Sequence, residues 1–488
     1  MNSTPSVKKN IILSTAYQIL TLLTPFITAP YVSRVLEPDG IGIYSFTNSI
    51  LAYFTLLAGL GTATHGAREI ARVRDNQAKL SKTFWEIELM TVLTSSVAIL
   101  LWIGVIVFSS KYNLIYLILT ISLIGTMLDI SWFFSGLEQF SYIVVRNTIV
   151  KIACIALLFI FINSKDDLYL YIFLMTMANF LGTLSMWMYI PKMVARMRWK
   201  ELQIWPRLKD SAIFFLPSIA ASIYTILDKT LIGLITHSEV QNGYYEQATK
   251  IVNMAKVLTF SALSSVLASR TSYLYAEKKY DEIKQKMARS LDFVLFSGMG
   301  LTFGLISVAN RFVPWFFGPG YEPVILLLQV LSPIMIIIGI SNIIGAQYYI
   351  AVGVKYQRRG AVFMFIGAIA NFILNMILIP RLQSLGAVIG SLVAETIISG
   401  LFLYYSDGYM NLSQIGKYGW RKLIAGIAMA ACMFSIGNVI ANNTICVLTE
   451  VAVGAIVYCV VLSLLRDGFI SYLYKDILVP KVLSRIRR

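Results

Sequence analysis

A chain of 488 residues that is 57% hydrophobic and only 14% charged lies outside the range of soluble domains, which carry about 25% charged residues. It reads as a membrane protein, and the same composition excludes a disordered chain and a disulfide scaffold. Forty-one Lys and Arg against 25 Asp and Glu leave a net +16; in a soluble protein that would point to nucleic acid, but in a membrane chain topology accounts for it.

The first apolar stretch, about Asn10 to Val32, follows Lys8 and Lys9. It is too long for a signal-peptide core and reads as span one. Windows bounded by charge and turn residues continue at 42–64, 83–109, 113–136, 144–163 and 168–190. The second half repeats the rhythm at 212–236, 246–270, 289–312, 323–351, 361–380 and 386–405, followed by 422–441 and 445–465. Fourteen spans are expected, all helical, because an open sheet edge cannot be satisfied in lipid.

Lys and Arg are retained on the cytoplasmic side of short loops. The N-terminal segment, the even-numbered loops and the tail hold thirty-three basic residues by this count, Arg146, Lys151 and Lys422 among them. The opposite side holds five: Arg34, Lys111, Lys165, Arg311 and Arg381. That asymmetry places both termini in the cytoplasm. The remaining three, Lys229, Lys250 and Lys256, fall inside spans. No loop is long enough to fold as a catalytic domain.

Gly42-Ile43-Tyr44 recurs as Gly243-Tyr244-Tyr245 at an offset of 201. With a weaker echo of Tyr142 to Arg146 in Tyr356 to Arg359, this points to a duplicated six-span unit with two spans appended. The expected organisation is an N-terminal lobe at 1–200, a C-terminal lobe at 201–410, and spans thirteen and fourteen with a basic tail at 411–488.

Polar residues are costly on a lipid-facing helix, so a polar stripe marks a face turned to protein or water. Spans one, two, seven and eight show it best. Span one carries Gln18, Thr21, Thr28 and Tyr31, and span two carries Ser45, Asn48 and Thr55. Span seven carries Ser218, Ser222, Thr225, Asp228 and Lys229; span eight carries Glu246, Lys250, Asn253 and Lys256. A hydrophilic cavity between two bundles would wet all four faces; polar packing between helices is the competing explanation. Asp228 and Lys229 are the sharpest pair, since an ionisable residue inside a span costs roughly 2.5–3.5 kcal/mol on insertion scales. Asp228 is suited to accept a coupling proton or cation or to neutralise Lys250. Lys229, Lys250 and Lys256 are suited to an anionic group, with a static ion pair and snorkelling as the bland alternatives. Asp129 in span four, Glu395 in span twelve and Asp292 in span nine are further buried acids that either carry a cation or bond a neighbouring helix. Asn371 and Asn375 read as packing. Pro25, Pro30, Pro217 and Pro333 permit bends. Gly300 with Gly304, and Gly386 with Gly390, mark close helix contacts.

The chain has no GxxxxGK[ST] phosphate loop and no nucleophile with a base. Cys154, Cys432, Cys446 and Cys459 show no CxxC spacing, and His65 and His237 lie far apart, so no metal site is expected.

Arg34-Val35-Leu36-Glu37-Pro38 with Gly42-Ile43-Tyr44, His65 to Ala71 followed by Arg72 to Asn76, and Leu216-Pro217-Ser218 with Asp228-Lys229-Thr230 together resemble the Wzx-like oligosaccharide flippases. These belong to the multidrug/oligosaccharidyl-lipid/polysaccharide exporter superfamily. The resemblance implies an all-α, MATE-like fold of two pseudo-symmetric six-helix lobes around a central cavity. It further implies movement of an undecaprenyl-diphosphate-linked oligosaccharide from the inner to the outer leaflet of a bacterial plasma membrane. Arg34, Lys229, Lys250 and Lys256, with Asn48 and Asn253 of the polar faces, would bind that substrate. Asp228, Glu395 and Asp129 would take the coupling ion, H+ or Na+, with no cofactor. A polysaccharide polymerase and chain-length machinery follow from pathway logic alone. A teichoic-acid precursor flippase, a MATE-type exporter and a membrane polysaccharide polymerase are the alternatives. The short outer loops oppose the polymerase, and three intraspan lysines favour an anionic cargo over the cations of an exporter.

Overall fold

The computed structural model describes residues 7–349 and 352–474, and helix is the regular structure throughout them. Helix makes up most of each of the fourteen expected windows, with breaks at 60–61 in the second, 128–130 in the fourth and 332–333 in the tenth, whose residues 350 and 351 lie outside the described residues. Eleven stretches among the described residues are long and apolar enough to cross a membrane, and the first of them, Leu23–Val73, takes in the end of the first expected span and the whole of the second. The chain divides into two compact units, Met1–Gly233 and Leu234–Arg488.

The first unit opens with α1, Val7–Gly59, which is two helices joined at Glu37 (φ 58°, ψ 175°). Pro38 explains the break: it clashes with a helical residue before it and is itself well placed to start the next helix. Next come α2 (Thr62–Val73), α3 (Gln77–Phe108), α4 (Asn113–Met127), α5 (Ser131–Gly136), α6 (Phe140–Phe161), α7 (Leu168–Met186) and α8 (Ile204–Thr236). Asn76 starts α3 by accepting a hydrogen bond from the Lys79 amide at 3.0 Å. Helix α1 packs on α3, α4 and α6, and α7 covers α4 and α6. Their shared core joins Val32, Leu36, Trp102, Leu119 and Leu158. On the side of the basic loops, α2 lays Thr62, His65, Gly66 and Ile70 inward at helical spacing. A Cβ on Gly66 would stand 2.6 Å from the Trp132 ring, and one on Gly136 would stand 2.6 Å from the Ala67 carbonyl oxygen. The His65–Ala71 motif is therefore a close-packed seam between α2 and α5.

The second unit contains α9 (Glu239–Ala276), α10 (Tyr280–Phe317), α11 (Pro323–Leu331), α12 (Ile334–Asn342) and a π-helical stretch at Ile343–Tyr349. It continues with α13 (Val354–Leu382), α14 (Ser384–Tyr404), α15 (Leu412–Val439), α16 (Asn443–Leu464) and α17 (Gly468–Tyr472). Helix α14 packs on α13, where a Cβ on Gly386 would meet the Leu378 backbone at 2.6 Å. A Cβ on Gly300 would likewise stand 3.2 Å from the Tyr458 ring. Helices α15 and α16, the appended pair, pack on α10.

Glu37 and His237, 200 residues apart, are both left-handed in backbone (φ 58° and 51°), each at the turn between consecutive long helices.

Candidate functional site

In the first unit, span seven meets span two. The Ser49 and Thr230 hydroxyls lie 3.0 Å apart, and Tyr53 interacts with both Thr230 and Asp228. Asp228 is buried, whereas its neighbour Lys229 is partly accessible, as the 100° step between adjacent helical residues requires. Asn48, one residue before Ser49, is exposed in the middle of its helix, and Arg34 is exposed one turn before the Glu37 break. Spans two and seven thus meet through Ser49, Tyr53, Asp228 and Thr230, of which only Asp228 belongs to the expected stripes. Ser218, Ser222 and Thr225 have side chains outside the described residues.

In the second unit, α9 carries Lys250, Asn253 and Lys256. Lys256 is coupled electrostatically to Glu395 of α14, and Glu395 is 4% exposed. A residue expected to bind anionic substrate and one expected to take a coupling ion therefore lie within electrostatic reach of each other. Asn253 is exposed and Lys250 partly so. Asn375 donates from Nδ2 to Asn371 Oδ1 at 3.1 Å, and both are fully buried, which matches a packing role.

Asp129 differs from expectation in setting. Span four is not one helix: α4 ends at Met127, α5 begins at Ser131, and Asp129 lies in the turn, where Oδ1 accepts the Ser131 amide at 2.9 Å. Its electrostatic neighbour is Glu88 of α3, a buried acid that sequence reasoning missed. Both Glu88 carboxylate oxygens lack a hydrogen-bond partner among the described residues. The acid fell near the start of the 83–109 window, where charge reads as a boundary.

Asp292 bonds a neighbouring helix. Lys422 Nζ donates to Asp292 Oδ1 at 2.5 Å, to Asp467 Oδ2 at 2.8 Å and to the Tyr418 carbonyl at 2.9 Å. Lys422 itself, counted from sequence as a loop residue, is the eleventh residue of α15 and is 0% exposed. Arg207 plays a similar part in the first unit, donating to Glu86 Oε2 at 3.0 Å and Glu69 Oε2 at 2.9 Å. It fastens the start of span seven to α2 and α3.

Lys151 was also counted among the loop basics. Helix α6 begins at Phe140, so Lys151 is its twelfth residue of 22 and lies within the span. Its Nζ donates to Thr21 Oγ1 of span one at 2.8 Å. Among the described residues no group of three or more His, Cys, Asp and Glu is placed to hold a metal ion.

Comparison with known proteins fits this architecture. Two proteins named "Putative O-antigen transporter" are similar along most of their length. That of Escherichia coli K12 is 22% identical over 82% of this chain and 96% of its own. That of Shigella dysenteriae is 25% identical over 80% of this chain and 98% of its own. The solved structure of the Lipid II flippase MurJ in an inward closed conformation superposes with a TM-score of 0.71 at 16% identity, covering 93% of this chain and 98% of that one. An inward-facing MATE transporter of the MOP superfamily superposes at 0.61 over 83% of this chain and 98% of that one, at 13% identity. The family described as "Polysaccharide biosynthesis protein" matches residues 7–268, more than half of the sequence. The chain belongs to the polysaccharide biosynthesis protein family.

Proposed function

We propose that this multi-pass membrane protein is a flippase for a lipid-linked oligosaccharide, carrying an undecaprenyl-diphosphate-linked repeat unit from the inner to the outer leaflet for capsule or O-antigen-type polysaccharide. It acts as a transporter and not as an enzyme. The observation that carries the reading is the set of cations within two long helices, Lys229 on α8 and Lys250 and Lys256 on α9, in a chain whose relatives over most of its length bear the name O-antigen transporter. A diphosphate-sugar head cannot cross about 30 Å of hydrocarbon unaided. Ammonium groups along a polar path offset the loss of hydration of the diphosphate while the isoprenoid tail stays in lipid. Arg34, Asn48 and Asn253 complete the binding set.

Asp228 and Glu395 take the coupling cation, H+ or Na+, with Asp129 as a further acid. In the second unit the pairing of Glu395 with Lys256 supplies a rationale: substrate phosphate competes for Lys256, and a proton or cation then neutralises the carboxylate left behind. We further propose lobes at 1–200 and 201–410 that alternate access, with 411–488 appended. The protein sits in a bacterial plasma membrane with both termini in the cytoplasm, as its basic side supports. It hands its product to a polysaccharide polymerase and chain-length machinery.

The test is the leaflet distribution of labelled lipid-linked oligosaccharide in cells depleted of the protein, probed from outside with a membrane-impermeant sugar-oxidising reagent. Single repeat units protected on the inner leaflet support the reading. Units that are externally accessible but unpolymerised overturn it.

A further inference from the structure

We propose that Glu88 of α3 is a proton-binding site in the first unit, its carboxyl carrying a proton in the packed arrangement, with Asp129 as the acid through which that proton enters and leaves. The link to transport rests on the flippase reading above and deepens it: H+ is the coupling ion, and Glu88 carries it on the side of the basic loops.

The carboxyl is sealed in. Glu88 is the twelfth residue of α3 and 2% exposed, and neither of its oxygens has a hydrogen-bond partner among the described residues. The packing around it is aromatic: Phe84, one turn earlier on the same face, stacks on Trp132 at 5.6 Å and meets Phe133 edge-on at 5.0 Å. Trp132 is three residues beyond Asp129, and this contact between α3 and α5 brings the two acids into electrostatic reach. Thr91, one turn after Glu88, is engaged elsewhere. Its hydroxyl donates to the Ile87 carbonyl at 3.0 Å and meets the Thr62 hydroxyl at 3.2 Å. An ionised carboxylate here would have lost its water and found nothing in exchange, beside a second acid. A bound proton removes the charge.

The cations near α3 are committed elsewhere. Arg207 of α8 and Lys82 are held by Glu86, two residues earlier and about 160° round the helix. On α2, Glu69 takes Arg72 and Arg207, and His65 lies in the field of Glu69, Arg207, Asp210 and Arg68. Residues 193–203 meet α3 at Gln77, Ser81, Trp85 and Glu86, with Arg196, Arg198 and Lys200 exposed. Helices α4 and α5 carry no charged residue, and α1 after its break carries only Asp39, at its far end. Asp129 is the ionisable group that acts on Glu88. It is partly accessible, with Oδ1 on the Ser131 amide. The Glu88 O–H bond breaks as its proton passes to the Asp129 carboxylate, which releases it to water on the side of the basic loops; the reverse steps reload the site. Once unloaded, two like charges press α3 and the α4–α5 turn apart, which gives the proton a hold on helix arrangement.

The test uses the full chain in liposomes and the infrared C=O band of protonated carboxyl groups, which shifts when H2O is replaced by D2O. At neutral pH the parent should show a protonated carboxyl that Glu88→Gln lacks, unchanged when Na+ replaces choline. Asp129→Asn should keep this band and slow its shift in D2O about tenfold or more, since a positioned acid speeds proton transfer. With labelled undecaprenyl-diphosphate oligosaccharide in the same liposomes, an imposed pH gradient should change the translocation rate of the parent, and Glu88→Gln should lose that response. Superposable spectra of the parent and Glu88→Gln overturn the inference, as does a band that bleaches with Na+ or a gradient response that survives in Glu88→Gln. Exchange as fast in Asp129→Asn as in the parent overturns the role of Asp129. A parent that moves no lipid under any gradient contradicts the flippase reading, and the infrared comparison is independent of that outcome. Gln has the shape and charge of the protonated acid, so Glu88→Gln should fold and melt like the parent. If neither it nor Glu88→Met folds, the position requires a charge and the inference is overturned.

Discussion

Replacing Lys422 by Met should be among the most damaging single changes in the second unit. The ammonium is fully buried and makes three hydrogen bonds, to Asp292, Asp467 and the Tyr418 carbonyl. Met preserves most of the aliphatic volume, so the loss is chiefly one of charge. It strands two carboxylates, one of them on Asp467, which is 2% exposed. Removing one partner from a buried ion pair costs about 3–5 kcal/mol, and the adjacency of two like charges places the expected value in the upper half of that range. The assay is equilibrium unfolding in mixed micelles, with a triple variant, Lys422→Met with Asp292→Asn and Asp467→Asn, as control. Asp467 Oδ1 also accepts the Phe469 amide at the start of α17, a cap that Asn provides about as well as Asp. The triple variant should therefore recover more than half of the loss. A single variant within about 0.5 kcal/mol of the parent would refute the reasoning, and a triple variant as unstable as the single would show that packing, not charge, sets the cost.

Arg207→Met should lower stability by about 2–3 kcal/mol, since charged hydrogen bonds to Glu86 and Glu69 are lost; adding Glu86→Gln should return part of it in a thermal unfolding assay, and no recovery would argue against the ion pair. Gly386→Ala should cost about 1–3 kcal/mol, because its Cβ would stand 2.6 Å from the Leu378 backbone, which cannot rotate away; an unchanged melting temperature would contradict the close approach of α13 and α14. Lys256→Ala and Glu395→Gln should each reduce translocation, and the double variant should fall no further than the worse single if the two act together, as their electrostatic interaction suggests. Strictly multiplicative losses in a transport assay would separate them.

The helical architecture was legible because every span carries its own apolar signal, and lipid leaves backbone groups only internal partners. Charge position was harder to read. A lysine near a window edge looks like a loop residue, but α6 begins four residues before its apolar window and α15 ten before its own. Lys151 and Lys422 are consequently membrane-depth or buried groups that composition assigned to loops. Glu88 and Arg207 were missed for a related reason: what distinguishes them is burial against neighbouring helices, and no spacing along one helix records it. Asp228, Lys256 and Glu395 stand out in the sequence as charges within apolar windows. That Lys256 faces Glu395, and that Asp228 approaches Tyr53 of span two, depends on helices far apart in sequence. The break at Asp129 was hidden because Leu128 to Ile130 are as compatible with helix as their neighbours; the turn becomes evident only when α5 folds under α2.

The measurement that bears most directly on the central claim is translocation by the purified protein in liposomes. Labelled undecaprenyl-diphosphate oligosaccharide would be placed in both leaflets and attacked from outside with an impermeant sugar-oxidising reagent. A flippase makes nearly all of the label reactive, with the inner-leaflet fraction emerging at a rate that falls in Lys229→Ala and Lys256→Ala. If half of the label stays protected in liposomes holding correctly folded protein, the chain does not move this lipid and the account is contradicted.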